Sequence, residues 1–201
     1  MVNVQLFQRL DDPNIAHLLK NGAIAVLPTD TVYGLVCAAS DSAAVQRLFK
    51  LKEREAKPGT VLAASVQQLI DLGIRARYLQ TAAYYWPNPI SVIMPCDDRL
   101  AYLHQGKQSL AVRIPDDPLL RGLLKISGPL MTTSANLPGE PVCQTAAEAK
   151  TRFGTAVDLY VDAGSLGSRL PSTIIRVHDD GVEVVRRGAV KLDETGKILH
   201  E

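Results

Sequence analysis

Short apolar runs of strand length alternate with helix-period segments along nearly the whole chain, and the links between them are short. The strand-like runs are "AIAVL" (23–27), "TVLAAS" (60–65), "ISVIMP" (90–95), "SLAVRIP" (109–115) and "PLMTTSAN" (129–136), followed by "AVDLYVDAG", "STIIRV" and "VEVVRRG". Between them the spacing predicts helices over 13–21, from Asp41 to about Lys52, over 66–72 and 77–85, over "DDPLLRGLLKIS", and from Thr145 to Arg152. Asp41 is placed to cap its helix, and Pro118 sits near the start of another, where a missing N–H costs nothing. Interleaving of this kind restricts the chain to an α/β (or α+β) architecture with a mixed sheet. No Pro/Gly/Ser-rich linker divides it, so one domain over 1–201 is expected, with its core at about 10–190 and a short helical or frayed tail from 191.

Bulk properties narrow the class. The 201 residues are 46% hydrophobic and 21% charged, ordinary values for a globular protein. The net charge of +1 means that any nucleotide or nucleic-acid site must come from a local basic cluster. Cys37, Cys96 and Cys143 are widely spaced and form no CxxC pair. That speaks against a zinc site or a disulfide framework and fits a reducing cytosol. No signal-peptide h-region is visible, and no apolar run approaches membrane-spanning length. A cytoplasmic protein with no membrane association is expected.

Function is written at the ends of the strands. "LPTDTVYGLV" (27–36) places two threonines and an aspartate between apolar stretches. A plain turn would use Gly, Asn or Pro more freely. Similar polar clusters close other strands: Thr132-Thr133-Ser134-Ala135-Asn136 and Ser172-Thr173, with Arg113 inside its own strand. Any one such cluster can be a cap or a turn former. Several together suit a ligand bound beyond strand ends. In "SLAVRIP", Leu110, Val112 and Ile114 alternate with Ala111 and Arg113, so Arg113 stands on the opposite face.

The stretch "FKLKEREAKPG" (49–59) adds Lys50, Lys52, Arg54 and Lys57. Cations near a helix C-terminus favour the helix dipole. They are also what neutralises phosphates. With Arg113 and Arg186 or Arg187, the chain can assemble a basic pocket. It carries no P-loop or dinucleotide fingerprint, no HExxH and no GxSxG elbow, and its four histidines have no ligand spacing.

Taken in order, PTDTVYGL, K-x-R followed by KP, SLAVRIP, SAN, PST and VVRRG resemble the YrdC-like family over residues 20 to 190. The resemblance implies a twisted mixed sheet flanked by helices, with a concave, positively lined cavity. It implies synthesis of L-threonylcarbamoyladenylate, in the short single-domain form. L-threonine and bicarbonate give N-carboxythreonine, whose carboxylate attacks the α-phosphate of ATP and releases pyrophosphate. Mg²⁺ would be held mainly by ATP. A tRNA threonylcarbamoyltransferase partner would then receive the product for tRNA modification.

Carried over residue by residue, the resemblance assigns Thr29, Arg113, Thr132 and Ser172 to threonine. It assigns Lys52, Arg54, Ser109, Ser134, Asn136 and Arg186 to ATP, with Lys52, Arg54, Ser134 and Asn136 nearest the chemistry and no protein-bound metal. Such chemistry rests on positioning and charge neutralisation, so no general base is named.

The sequence departs from the family pattern at three places. Many relatives have a histidine after the K-x-R strand, near Ala63 here. WPGP reads Trp86-Pro87-Asn88-Pro89, where Asn tolerates positive φ. SANxSG reads SANLPG, so Pro138 replaces a hydroxyl and removes a donor. Tyr33 and Trp86 are expected as core or pocket wall rather than base-stacking groups.

Two rival readings stand beside the synthase. One is a diverged paralogue that binds double-stranded RNA or tRNA without catalysis, which calls for a broad basic stripe. Glu53, Glu55, Asp116 and Asp117 interrupt the bases and favour a small pocket instead. The other is a carbamoyl-transfer module of larger hydrogenase-maturation proteins, which the chain length disfavours.

Overall fold

The structure is a computed structural model that describes residues 4–52, 58–178 and 181–199. Among these residues ten strands form one sheet: β1 (Gln5–Phe7), β2 (Ala25–Leu27), β3 (Gly34–Ala38), β4 (Thr60–Leu62), β5 (Ile90–Pro95), β6 (Ser109–Arg113), β7 (Leu130–Ser134), β8 (Leu159–Val161), β9 (Thr173–His178) and β10 (Gly181–Arg186). Their order is β1-β8-β2-β3-β7-β4-β6-β5-β9-β10, with parallel and antiparallel pairs mixed. The expected α/β class and twisted mixed sheet are observed.

The helices are α1 (Pro13–Lys20), α2 (Ser42–Leu51), α3 (Val66–Leu72), α4 (Ala76–Ala82), α5 (Ala101–His104), α6 (Pro118–Ser127) and α7 (Ala146–Phe153). Their starts follow from side chains visible in the sequence. Asp41 accepts from the Ala43 and Ala44 amides at 3.0 Å, Asp117 accepts from the Leu120 amide at 2.9 Å, and Thr145 accepts from the Glu148 amide at 3.1 Å. Each satisfies amides that a helix start leaves unpaired.

Side chains alternate across the sheet, so each strand feeds two cores. Val26, Leu35, Cys37, Val61, Leu110 and Val112 join the larger core. Leu27, Val36, Leu62 and Leu130 face the other way, into a smaller core with Ile15 and Leu19 of α1 and Leu120, Leu123 and Leu124 of α6. On this second face the character changes along the strands. Leu130 gives way to Thr132 and Ser134 on β7, and Leu62 to Thr60 on β4. In register, Thr132 lies beside Thr60, Thr60 beside Ala111, and Ser134 beside Gly34. The switch from leucine to hydroxyl marks where helix cover ends and the site begins.

Some elements differ from expectation. β1, β3 and α5 carry no clear period of their own. The segment 77–85 is α4 followed by a 3₁₀ turn over Ala83–Tyr85. The described part of the tail, 191–199, is not helical. Leu192 and Ile198 bridge across a turn, Gly196 accepts from the Tyr85 hydroxyl at 3.1 Å, and both apolar side chains pack on the larger core. Asn88 does not adopt positive φ, while the Trp86–Pro87 bond is cis. Among the described residues no helix is long and apolar enough to cross a membrane.

Candidate functional site

A cavity of about 250 Å³ opens where the strands turn polar, with Thr29, Arg113, Thr132, Ser134, Ser172 and Arg186 all on its wall. Six of the expected residues, from distant parts of the chain, therefore meet in one place. Glycines let the backbones come this close. A Cβ on Gly34 would lie 2.7 Å from Thr132 Oγ1, and one on Gly59 would run into the Thr132 carbonyl.

Arg113 is buried at 4% exposure, on the face the alternation predicts. Its Nη2 donates to Asp30 Oδ1 at 3.0 Å and its Nη1 to Ser91 Oγ at 3.3 Å, while its Nε–H is buried without a partner among the described residues. Burial pushes the guanidinium pKa down, and the Asp30 charge and hydrogen bond push it back up. Two of five N–H groups are thus committed, which leaves others for a ligand. Asp30 is fixed from behind, since its Oδ2 accepts from the Asp116 amide at 3.2 Å.

Ser91 Oγ lies 3.0 Å from Ser172 Oγ. Arg186 reaches the same serine, with Nη2 donating to Ser172 O at 2.7 Å and to Ser172 Oγ at 3.1 Å. The sequence leaves open which of Arg186 and Arg187 enters the site. A bulge in β10 decides it, because the register shifts between Val184 and Arg186 and sets Arg186 beside Ile174, a cavity-lining residue.

Thr29 lies on the cavity wall, with its hydroxyl engaged by its own turn. Its hydroxyl donates to the Val32 carbonyl at 2.6 Å and accepts from the Thr31 amide at 3.2 Å. The 3.0 Å contact between the two hydroxyls must then run from Thr31 to Thr29. Thr29 is saturated by its own turn. Thr31, which also lines the cavity, keeps its lone pairs for a ligand donor. Thr132 Oγ1 forms no hydrogen bond to the described residues.

Lys52 is the C-cap of α2 and 4% exposed. Its ammonium donates to Ser134 O at 2.8 Å, to Asn136 Oδ1 at 2.7 Å and to the Asn136 carbonyl. Ser134 Oγ donates to Asn136 Oδ1 at 2.6 Å, and Asn136 Nδ2 to the Glu140 carbonyl at 2.7 Å. Lys52 therefore holds the Ser-Ala-Asn turn, and neither it nor Asn136 is on the wall of this cavity.

Ser109 shares the face of Ala111 and Arg113 but lies outside the cavity, with Oγ donating to the Lys107 carbonyl at 3.3 Å. Arg54 lies outside the described residues. Ala63 is fully buried in the larger core, away from the cavity. Pro138 and Gly139, at φ +79°, occupy a turn closed by the Glu140 amide on the Leu137 carbonyl, where proline suits the second position. Tyr33 is core as expected, its hydroxyl donating to the Gly164 carbonyl at 2.7 Å, and Trp86 packs on the core with Nε1 donating to the Ile90 carbonyl at 2.8 Å.

Asp30, Thr31 and Ser91 were not among the assigned site residues. The first two sit inside the quoted Thr-Asp-Thr cluster. Ser91 gives no signal in the sequence.

The Sua5/YciO/YrdC family model, described as "Telomere recombination", matches residues 17–188. The chain belongs to this family. A Chromohalobacter salexigens protein named threonylcarbamoyl-AMP synthase is 38% identical over 78% of this chain and 86% of its own length. A Serratia proteamaculans protein of the same name is 36% identical over 87% of this chain and 94% of its own. Among solved structures, P. abyssi Sua5 complexed with L-threonine matches with a TM-score of 0.82 at 25% identity, over 94% of this chain and 58% of that longer one. E. coli YciO shares the fold, with a TM-score of 0.77 over 94% of this chain and 96% of its own.

Proposed function

We propose that the chain is an L-threonylcarbamoyladenylate synthase, which joins L-threonine, bicarbonate and ATP into threonylcarbamoyl-AMP and pyrophosphate. The observation that carries this reading is the convergence of Arg113, Thr132, Ser134, Ser172 and Arg186 on one small cavity. Relatives named for that activity support it.

Threonine would lie with its carboxylate on Arg113, whose planar fork suits two oxygens. Thr31 offers an acceptor for an amine or hydroxyl hydrogen. A site that pairs a substrate hydroxyl can reject analogues lacking it. Carbamate formation from the amine and bicarbonate releases water. The carbamate oxygen then attacks the α-phosphorus, and the bond to pyrophosphate breaks. The protein contributes placement, for which intramolecular models allow roughly 7–11 kcal/mol. It also contributes the Arg186 charge toward the phosphates, while Ser134, whose hydroxyl hydrogen is committed to Asn136 Oδ1, forms part of the same wall.

An adjoining cavity of about 200 Å³ shares Val32 and Val142 with the first and gives the nucleotide room to extend. Mg²⁺ would arrive on ATP oxygens. The polar side chains of the wall are hydroxyls and guanidiniums, with no carboxylate among the described lining residues, and Asp30 behind it is held by Arg113. Lys52 acts by shaping the Ser-Ala-Asn turn. Arg54 and Ser109 extend the phosphate and nucleotide contacts in this reading. The product passes in the cytoplasm to a tRNA threonylcarbamoyltransferase partner, and the whole chain acts as one domain.

Pyrophosphate release from the purified chain tests the reading. Release that needs ATP, L-threonine and bicarbonate together, with the adduct seen by mass spectrometry, is the expected result. ATP binding without release would point to a different acceptor. RNA binding without ATP binding would replace the synthase reading.

A further inference from the structure

Two guanidiniums enclose a pair of serines. Arg113 Nη1 donates to Ser91 Oγ at 3.3 Å, the two serine oxygens are 3.0 Å apart, and Arg186 Nη2 donates to Ser172 Oγ at 3.1 Å. A guanidinium has donors and no acceptor, whereas a hydroxyl has one hydrogen and two lone pairs. Hydrogens therefore point inward from both ends, and the direction of the central bond has to be compatible with both.

Suppose that Ser172 donated to Ser91. Ser91 Oγ would then accept twice, and its own hydrogen would need an acceptor elsewhere. Ser91 is fully buried, is not on the cavity wall, and among the described residues its hydroxyl meets only Arg113 and Ser172. That hydrogen would be stranded, which native interiors avoid. The reverse direction leaves nothing stranded. Ser91 donates to Ser172, and Ser172 Oγ accepts from Ser91 and Arg186, which fills both lone pairs. The hydrogen of Ser172 is left over, and Ser172 lines the cavity.

We infer that Ser91 is a positioning residue that fixes Ser172 as a hydrogen-bond donor into the cavity, matched to an anionic oxygen of the bound ligand. The cavity then has fixed polarity: Ser172 and Arg113 donate to a carboxylate, and Thr31 accepts. Taking that carboxylate to be threonine's rests on the proposed function. A neutral amide keeps one acceptor oxygen and turns its NH2 toward either Ser172 or Arg113, neither of which has a lone pair to receive it. Removing Ser91 frees a lone pair on Ser172 and lets its hydroxyl turn.

The test is calorimetric titration of the full chain with L-threonine and with L-threoninamide. Wild type should prefer L-threonine. Ser91→Ala should weaken L-threonine roughly tenfold, as expected for one hydrogen bond to a charged group, lower the preference over the amide, and leave ATP affinity within about twofold. Ser172→Ala should show the same loss, and the double variant no more than Ser172→Ala alone, because the two act as one unit. Ser91→Thr keeps the hydroxyl and should restore binding. Unchanged L-threonine affinity in Ser91→Ala, or losses that add in the double variant, would overturn the inference and leave the synthase reading standing. Failure of wild type to bind L-threonine would overturn both. If Ser91→Ala does not fold, Ser172→Ala decides alone, since a preference over the amide undiminished from wild type there overturns the inference.

Discussion

Asp30 and Arg113 form an ion pair of 3.0 Å in which the side chains are 1% and 5% exposed. Removing one member of such a pair strands the other charge in a low-dielectric interior. Asp30→Asn keeps the shape and removes the charge. It is expected to cost about 3–5 kcal/mol of stability, read as a lower urea midpoint at unchanged m-value. A loss below about 1 kcal/mol would place the pair among solvent-screened contacts.

The Lys52 ammonium serves three oxygens of the Ser134–Asn136 turn. Lys52→Met keeps the apolar stem and leaves those acceptors short of their donor, with desolvation costs of about 1–3 kcal/mol each where water does not enter. Both synthesis and thermal stability should fall. An inactive variant with wild-type melting would instead assign the lysine to ligand contact alone.

Gly34 faces Thr132 across β3 and β7. An added Cβ would sit 2.7 Å from Thr132 Oγ1, so Gly34→Ala must displace that hydroxyl or spread the strands. Overpacking of this kind costs about 1–3 kcal/mol. The expected result is a folded protein with weakened L-threonine binding in calorimetry. Unchanged binding would remove Thr132 from the ligand's surroundings.

What the sequence made legible follows from which interactions are local. Capping by Asp41, Asp117 and Thr145 is a matter of two or three residues, so the helix starts are readable. The face of Arg113 follows from period two. β3 is not readable that way, because all five of its residues are buried and no alternation survives. The site is readable where family motifs mark it. It is unreadable where partners are far apart, as with Asp30 and Arg113, separated by 83 positions. Ser91 belongs to an ordinary apolar strand, and only the hydrogen count around Ser172 singles it out. Thr29 shows the converse, a motif residue whose hydroxyl turns inward to its own loop.

Burial pushes the Cys37 thiol up from 9.0 to about 12. A thiol with a raised pKa in the folded state stays protonated there while the unfolded chain ionises. Between pH 9.0 and about 12 the unfolded state therefore holds fewer protons, and stability falls as pH rises. Below the unfolded value the contribution is fully present. The slope approaches about 1.4 kcal/mol per pH unit when only the unfolded thiol ionises. Urea unfolding of wild type and Cys37→Ala between pH 8 and about 10.5 isolates this slope from that of the tyrosines. The variant should lose stability less steeply with pH, and parallel curves would contradict the buried thiol.

Thr29 and Thr31 differ by which of them keeps unused hydrogen-bonding capacity. Thr29 donates to the Val32 carbonyl and accepts from both the amide and the hydroxyl of Thr31. Thr29→Val removes the hydroxyl that closes the turn, so the expected effect is a stability loss of about 1–3 kcal/mol. Thr31→Val deletes an acceptor that faces the cavity while the Thr29–Val32 bond remains. It should raise KM for L-threonine roughly fivefold with kcat little changed, the pattern of lost uniform binding. Steady-state kinetics and unfolding curves on the two variants separate these outcomes. The opposite pattern, with Thr29→Val raising KM and Thr31→Val silent, would mean that the turn reopens when ligand binds and that Thr29 is the contact.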